Sequence, residues 1–178
     1  MTKHLWKEEV KKKLLPPEEI PNQVKVWKEN GVKTVTLNGS FDLLHAGHLQ
    51  IFYEAKAEGD LLIVALNTDA SIQKYKGPDR PIIPLEYRLQ MVAALEFVDF
   101  VTWFDEEDPR SILKQLRPSV HVNGSEYAPR CLESDVVEEG GGTVHYVERL
   151  PGLATSEILN KIRTTDIPEN QTCASSAP

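Results

Sequence analysis

The chain has 178 residues, 40% hydrophobic, 26% charged and 7% aromatic, and its 20 Lys and Arg against 27 Asp and Glu leave a formal charge of −7. That length suits one domain with a proper core, while no apolar run approaches the ~20 residues of a membrane span and the first residues lack the apolar stretch of a secretion signal. Two cysteines, Cys131 and Cys173, make no disulfide scaffold and imply a cytoplasmic setting, and the acidic balance argues against nucleic acid but leaves room for local cations around an anionic ligand.

In chain order, residues 5–14 are rich in Lys and Glu and read as a polar helix, interrupted by Pro16, Pro17 and Pro21. A second helical stretch, Gln23 to Glu29, stops at Asn30-Gly31. Lys33 to Leu37 is a β-branched strand, followed by a polar loop and a helix from Leu49 to Glu58 that ends at Gly59. Leu61 to Leu66 is a continuous apolar run without alternation, the pattern of a strand covered on both faces. A loop punctuated by Gly77, Pro78, Pro81 and Pro84 leads to a helix from Leu85 to Glu96, with Leu85, Leu89, Val92 and Leu95 on one stripe.

Val98 to Phe104 reads as a strand, Pro109 to Leu116 as a helix with proline at its start, and Ser119 to Val122 as a strand. A weaker helix precedes Gly140-Gly141-Gly142; Thr143 to Val147 is a strand and Thr155 to Arg163 a helix. This alternation predicts an α/β fold: a single Rossmann-like domain, with a doubly wound parallel sheet and helices on both faces. The expected division is a polar helical extension over 1–31, a working domain over 32–163 and a mobile tail over 164–178. In such sheets ligands sit at the carboxyl ends of the strands.

The segment carrying the chemistry is Asn38-Gly39-Ser40-Phe41-Asp42-Leu43-Leu44-His45-Ala46-Gly47-His48. It leaves the first strand and opens a helix, where free backbone N–H groups hold anions. Gly39 and Gly47 allow close backbone approach. His45 and His48, three apart at the helix entry, are able to face one point, and two such donors suit a polyphosphate whose charge rises in a transition state. A zinc pair is the competing reading, but no third Cys or His stands at ligand spacing, so no metal site is expected. Lys74, Lys76 and Arg80 cluster in the Pro/Gly loop at the same predicted edge, either around phosphates or as a solvated charged loop. Asp42 and Asp69 suit sugar hydroxyls or a magnesium-bound water, and equally a turn or helix cap. His4, His121 and His145 read as ordinary core or surface residues.

Gly39-Ser40-Phe41-Asp42-Leu43-Leu44-His45-Ala46-Gly47-His48 resembles the Gly-x-Phe-Asp-x-x-His-x-Gly-His signature of the cytidylyltransferase-like nucleotidyltransferases. The resemblance continues through Asn67-Thr68-Asp69, Lys76-Gly77-Pro78, Arg80-Pro81-Ile82, Glu86-Tyr87-Arg88 and the Gly140-Gly141-Gly142 turn. Within the family the chain looks most like the adenylyltransferases of bacterial ADP-heptose synthesis, often fused behind a sugar kinase; here the expectation is a freestanding enzyme.

The resemblance implies transfer of AMP from ATP, with Mg2+ as cofactor, to a sugar 1-phosphate, and a homodimer in the cytoplasm. The alternatives are a cytidylyltransferase acting on a polyol or amino-alcohol phosphate and a non-catalytic nucleotide-binding protein of the same fold. By motif position His45, His48, Lys76 and Arg88 would act on the phosphates. Asn38, Gly39, Ser40, Phe41, Gly47, Gly124, Glu126, Arg149, Thr155 and Ser156 would bind the nucleotide. Asp42, Asp69 and Lys74 would bind the acceptor. The chain departs from relatives at Ala154, where they carry Ser, and at Asn123-Gly124-Ser125-Glu126-Tyr127, where they have Lys-Gly-Gly-Asp-Tyr. It also carries Ser40 in place of Cys, a change expected to matter little.

Overall fold

Each of the five β-prone runs forms a strand in a computed structural model that describes residues 6–148 and 154–165. The strands are β1 (Thr34–Gly39), β2 (Leu61–Asn67), β3 (Phe100–Phe104), β4 (Val120–Gly124) and β5 (Thr143–Val147). All pair in parallel, in the order β3-β2-β1-β4-β5. The chain winds outward from β1 in one direction through β2 and β3 and in the other through β4 and β5. The crevice between β1 and β4 is therefore the topological switch point, where a doubly wound sheet opens room for a ligand.

Strand periodicity sorts the side chains onto two faces. Val35, Leu37, Leu62, Val64, Leu66 and Val101 pack against Phe52 and Ala55 of α3 (Ala46–Ala57) and against Leu89, Val92 and Ala93 of α5 (Leu85–Ala93). On the opposite face Ile63, Ala65 and Phe104 meet Ile20, Val24 and Trp27 of α2 (Ile20–Glu29) and Ile112 and Leu116 of α6 (Arg110–Leu116). Helices thus cover both faces, which is why β2 reads as unbroken apolar sequence. A further helix, α7 (Ser134–Glu139), packs beside β5 and α6 on the second face.

The N-terminal stretch is woven into this core. After α1 (Trp6–Lys11), Lys13 to Leu15 runs alongside edge strand β3: Leu15 N–H donates to Val101 O at 2.9 Å and Val101 N–H to Lys13 O at 2.8 Å. The segment occupies backbone groups that an edge strand otherwise leaves open. Pro21 does not break α2 as its sequence suggests, because it stands in the first turn, where its missing N–H has no intrahelical acceptor. With Ile20, Val24 and Trp27 on one stripe the helix is amphipathic, and its apolar side lies on the sheet.

The segment after β2 differs from expectation too. Lys74 and Lys76 lie on a helix, α4 (Asp69–Lys76), rather than in a loop. Thr68 caps it, its Oγ1 accepting from Ser71 N at 3.2 Å, and Gly77 ends it at φ 88°. Along β3 and its approach Val98, Val101 and Phe104 are buried in the core. The last helix is α8 (Thr155–Thr164). The tail expected beyond it falls mostly outside the described residues. No helix among the described residues is long and apolar enough to cross a membrane.

Candidate active site

The turn from β1 into α3 is held by one unusual residue. Phe41 sits at φ 44°, a left-handed conformation costly for a bulky side chain. Its buried ring folds back over Gly39, where an added Cβ would lie 3.0 Å from ring carbon Cζ. The same ring packs on Phe52 with centroids 4.8 Å apart and meets His48 edge-on at 5.5 Å. A side chain at Gly39 would thus press on this ring, and the folded-back ring sets the course of the chain toward α3.

At the start of α3, His45 is extended (φ −146°, ψ 170°) and His48 N–H donates to His45 O at 2.9 Å. Their rings stack with centroids 3.9 Å apart and 26° between planes. The two imidazoles therefore form one block at a helix N-terminus, beside backbone N–H groups that favour an anion.

This block lines a cavity of about 510 Å3 at the carboxyl ends of β1, β4 and β5, a volume ordinary for a small-molecule site. Asn38, Gly39, Ser40, Phe41 and Asp42 line it from β1 and its loop, and Gly47 joins the histidines from α3. Lys76 enters from the end of α4. Gly124 and Glu126 come from the end of β4, and Thr155 and Ser156 from the start of α8. Ala154 offers no hydroxyl cap to that helix; its N–H donates to Glu157 Oε2 at 3.1 Å instead. Arg149 lies outside the described residues.

Two cations stand at the histidine side. Lys76 Nζ donates to Ser40 Oγ at 2.7 Å, so the Ser40 hydroxyl locates the ammonium, a role the sequence did not suggest. Burial lowers the Lys76 pKa from its ordinary value, helped by Arg80 and Arg88 and opposed by Asp42. Arg80 also lines the cavity and pairs with Asp42, its Nη2 2.6 Å from Oδ2. Asp42 is buried and accepts from Ile82 N at 3.0 Å and Ile83 N at 2.8 Å as well. Burial pushes its carboxyl pKa up, but the two N–H groups and Arg80 outweigh it and hold the group below the usual aspartate value. Asp42 therefore ties the segment before α5 to the histidine loop.

Three expected contacts are placed elsewhere. Arg88 is fully buried and does not line the cavity. Its guanidinium donates to Ile83 O (2.9 Å), Ser40 O (2.6 Å), Asn67 O (2.9 Å) and Asp69 Oδ1 (2.6 Å). A fork of five N–H groups satisfies acceptors from three loops at once, and a buried charge requires such partners. Asp69 is thereby the counter-ion of Arg88. Lys74 turns outward, its Nζ 3.3 Å from Asp105 O. The cavity also takes in Ile51, Asn123, Tyr127, Val147 and Glu148, which were not among the expected contacts. For Asn123 and Glu148 the available signal was position: both stand at the carboxyl ends of strands.

Beneath the floor, on the α6 face of the sheet, His121 of β4 is fully buried with Nδ1 2.9 Å from Thr36 Oγ1. Burial lowers its pKa from 6.5 to about 4, against the opposing pull of Glu133. Between those values the unfolded chain binds a proton that the folded chain does not. This contribution to stability is thus complete above pH 6.5 and lost as pH falls toward 4, about 2 kcal/mol of it by pH 5. Replacing the pair with Thr36→Val and His121→Leu should flatten the dependence by that amount; urea unfolding at pH 7.5 and pH 5 measures it. An unchanged slope would mean that His121 binds its proton equally well in the folded and the unfolded chain.

Comparison with known proteins settles the family. The profile described as cytidylyltransferase-like matches residues 36–170. The chain belongs to the cytidylyltransferase-like family. It is 45% identical over 147 residues to the bifunctional protein HldE of Geotalea uraniireducens, covering 82% of this chain and 30% of that protein. The HldE of Wolinella succinogenes is 42% identical over 156 residues, covering 87% of this chain and 32% of the relative. The chain thus spans about a third of the length of these curated relatives. A solved structure of a lipopolysaccharide core biosynthesis protein from Thermoplasma volcanium superposes with a TM-score of 0.55 at 28% identity, covering 67% of this chain and 98% of that one. Membership makes the chain a nucleotidyltransferase, and the parallel sheet is the Rossmann-like fold expected of one.

Proposed function

We propose that the chain transfers AMP from ATP to a sugar 1-phosphate, D-glycero-β-D-manno-heptose 1-phosphate, with release of pyrophosphate. The observation that carries this reading is the stacked His45–His48 block at the α3 N-terminus, flanked by Lys76 and Arg80 in one cavity. The HldE relatives support the choice of adenylate and heptose.

A phosphate oxygen of the acceptor attacks the α-phosphorus; the bond from that phosphorus to the α–β bridging oxygen breaks, and pyrophosphate carries away the electron pair. The attacking phosphate is already anionic, so no base is required. The protein supplies position and charge. His45 and His48 donate to the phosphate oxygens as their charge grows, and Lys76 and Arg80 neutralise the departing phosphates. Asp42 is committed to Arg80 and two backbone N–H groups. Mg2+ would accordingly come with ATP and would lower the charge that the leaving group develops. Thr155, Ser156, Gly124 and Glu126 border the remaining wall, where hydroxyl-rich parts of the two substrates find partners.

Pyrophosphate release tests this with ATP or CTP against heptose 1-phosphate, glycerol 3-phosphate and ethanolamine phosphate. The expected productive pair is ATP with heptose 1-phosphate. Preference for CTP with glycerol 3-phosphate would overturn the assignment of base and acceptor. No turnover with any pair would overturn catalysis by this chain.

A further inference from the structure

We propose that Glu133 is a positioning residue that orients the amides at the ends of β1 and β4 for nucleotide binding. This rests on the reading above that the cavity takes a nucleoside triphosphate.

Glu133 directly precedes α7 and is 7% exposed. Its carboxylate straddles the switch point: Asn38 Nδ2 of β1 donates to Oε1 at 3.4 Å, and Asn123 Nδ2 of β4 donates to Oε2 at 3.3 Å. Both asparagines line the cavity. Asn123 passes the order onward, its Oδ1 accepting from the N–H of cavity-lining Gly124 at 3.0 Å. Asn38 has no such second anchor, because its Oδ1 is buried and accepts no hydrogen bond among the described residues. Among the described residues, Glu133 is therefore the group that sets which way the Asn38 amide faces.

The choice of a carboxylate follows from donor arithmetic. Two primary amides each present either an oxygen or an NH2 group, and an ionised carboxylate accepts only, so both must turn NH2 toward it. A glutamine offers one acceptor oxygen and satisfies one asparagine, leaving its own NH2 against that of the other. The arrangement is also a poor stability device. Among the described residues no Lys or Arg lies within 4.0 Å ion-pairing distance of Glu133, and both hydrogen bonds are long. Holding a buried carboxylate with two long amide hydrogen bonds, beside a His121 that burial keeps neutral, is costly where an apolar side chain would be cheaper. What the carboxylate secures is a defined pair of amides at the cavity floor.

The test is ATP and CTP binding by calorimetry, with steady-state kinetics, on the full chain and on Glu133→Gln. The expected result is an ATP Kd and KM raised about tenfold, a kcat within about twofold, and thermal stability equal to or above the parent, roughly what one misdirected hydrogen bond to a ligand costs. In an Asn38→Ala/Asn123→Ala background the added Glu133→Gln change should have no further effect on Kd, because the groups it acts through are gone. Full additivity, or an unchanged Kd in Glu133→Gln, overturns the proposal while leaving the functional reading intact. If Glu133→Gln does not fold, Asn123→Ala decides: weaker ATP binding at parental stability supports the proposal, and unchanged binding overturns it. A parent that binds neither ATP nor CTP overturns the functional reading and this proposal with it.

Discussion

Replacing His48 with alanine is expected to lower kcat for nucleotidyl transfer by about 100- to 1000-fold, the range for removing one donor from a developing oxyanion. ATP affinity should change much less, because on the proposed reading Lys76, Arg80 and the α3 N-terminus, which line the same cavity, would still hold the ground-state phosphates. The split between kcat and Kd is the informative result, since a uniform loss of binding would move KM instead. Calorimetric binding of ATP beside pyrophosphate-release rates measures it. His48 also packs edge-on against Phe41, so thermal stability is recorded alongside as a control on the loop. A kcat within about fivefold of the parent would remove His48 from the transition-state contacts.

Arg88→Ala is expected to act on the fold first. The substitution leaves the Asp69 carboxylate without its counter-ion and strips donors from the carbonyls of Ser40, Asn67 and Ile83. Asp69 is 40% exposed and water takes over part of its charge, so the main loss is the three carbonyls left without donors, about 2–4 kcal/mol together and a large part of a domain's stability. Urea unfolding reads this directly. Lysine at 88 should rescue little, because one ammonium cannot reproduce the planar fork that reaches all four acceptors. The motif position alone implied that Arg88 grips leaving phosphates. On that view Arg88→Ala would keep parental stability and lose kcat. The two outcomes separate the roles, and the burial of Arg88 favours the structural one. Its influence on catalysis then runs through Ser40, whose carbonyl it holds and whose hydroxyl receives Lys76.

Much of the secondary structure was legible because its causes are local. Leu61 to Leu66 has no polar face to turn outward, and the strand found there, Leu61–Asn67, is covered on both sides. Thr143 to Val147 appears with the bounds read from sequence. Helix α4 escaped notice because Gly77 and three following prolines dominate that stretch, although Thr68 and Asp69 together spell a helix start. Pro21 misled in the opposite sense, a helix-breaking residue standing in a first turn.

For the site, the His45–Gly47–His48 arrangement could be read in full, since its residues are close in sequence and sit on one turn. The acidic composition noted at the outset said nothing of the cations inside. Their assignment required the fold: Lys76 and Arg80 reach the histidine side, Lys74 turns away, and Arg88 is spent on buried acceptors.

By itself the sequence determined the fold class, the family signature and the strand-end location of the candidate site. These follow from hydrophobic period and from motifs spanning a few residues. Only the tertiary structure decided the strand order, and with it the meeting of Asn38 with Asn123 through Glu133, 95 residues from Asn38 and 10 from Asn123. It likewise decided which charges face the cavity. A charged side chain looks the same in sequence whether it meets solvent, a ligand or a ring of carbonyls. What separates these outcomes is the position of distant loops, and those loops are brought together only when the sheet assembles.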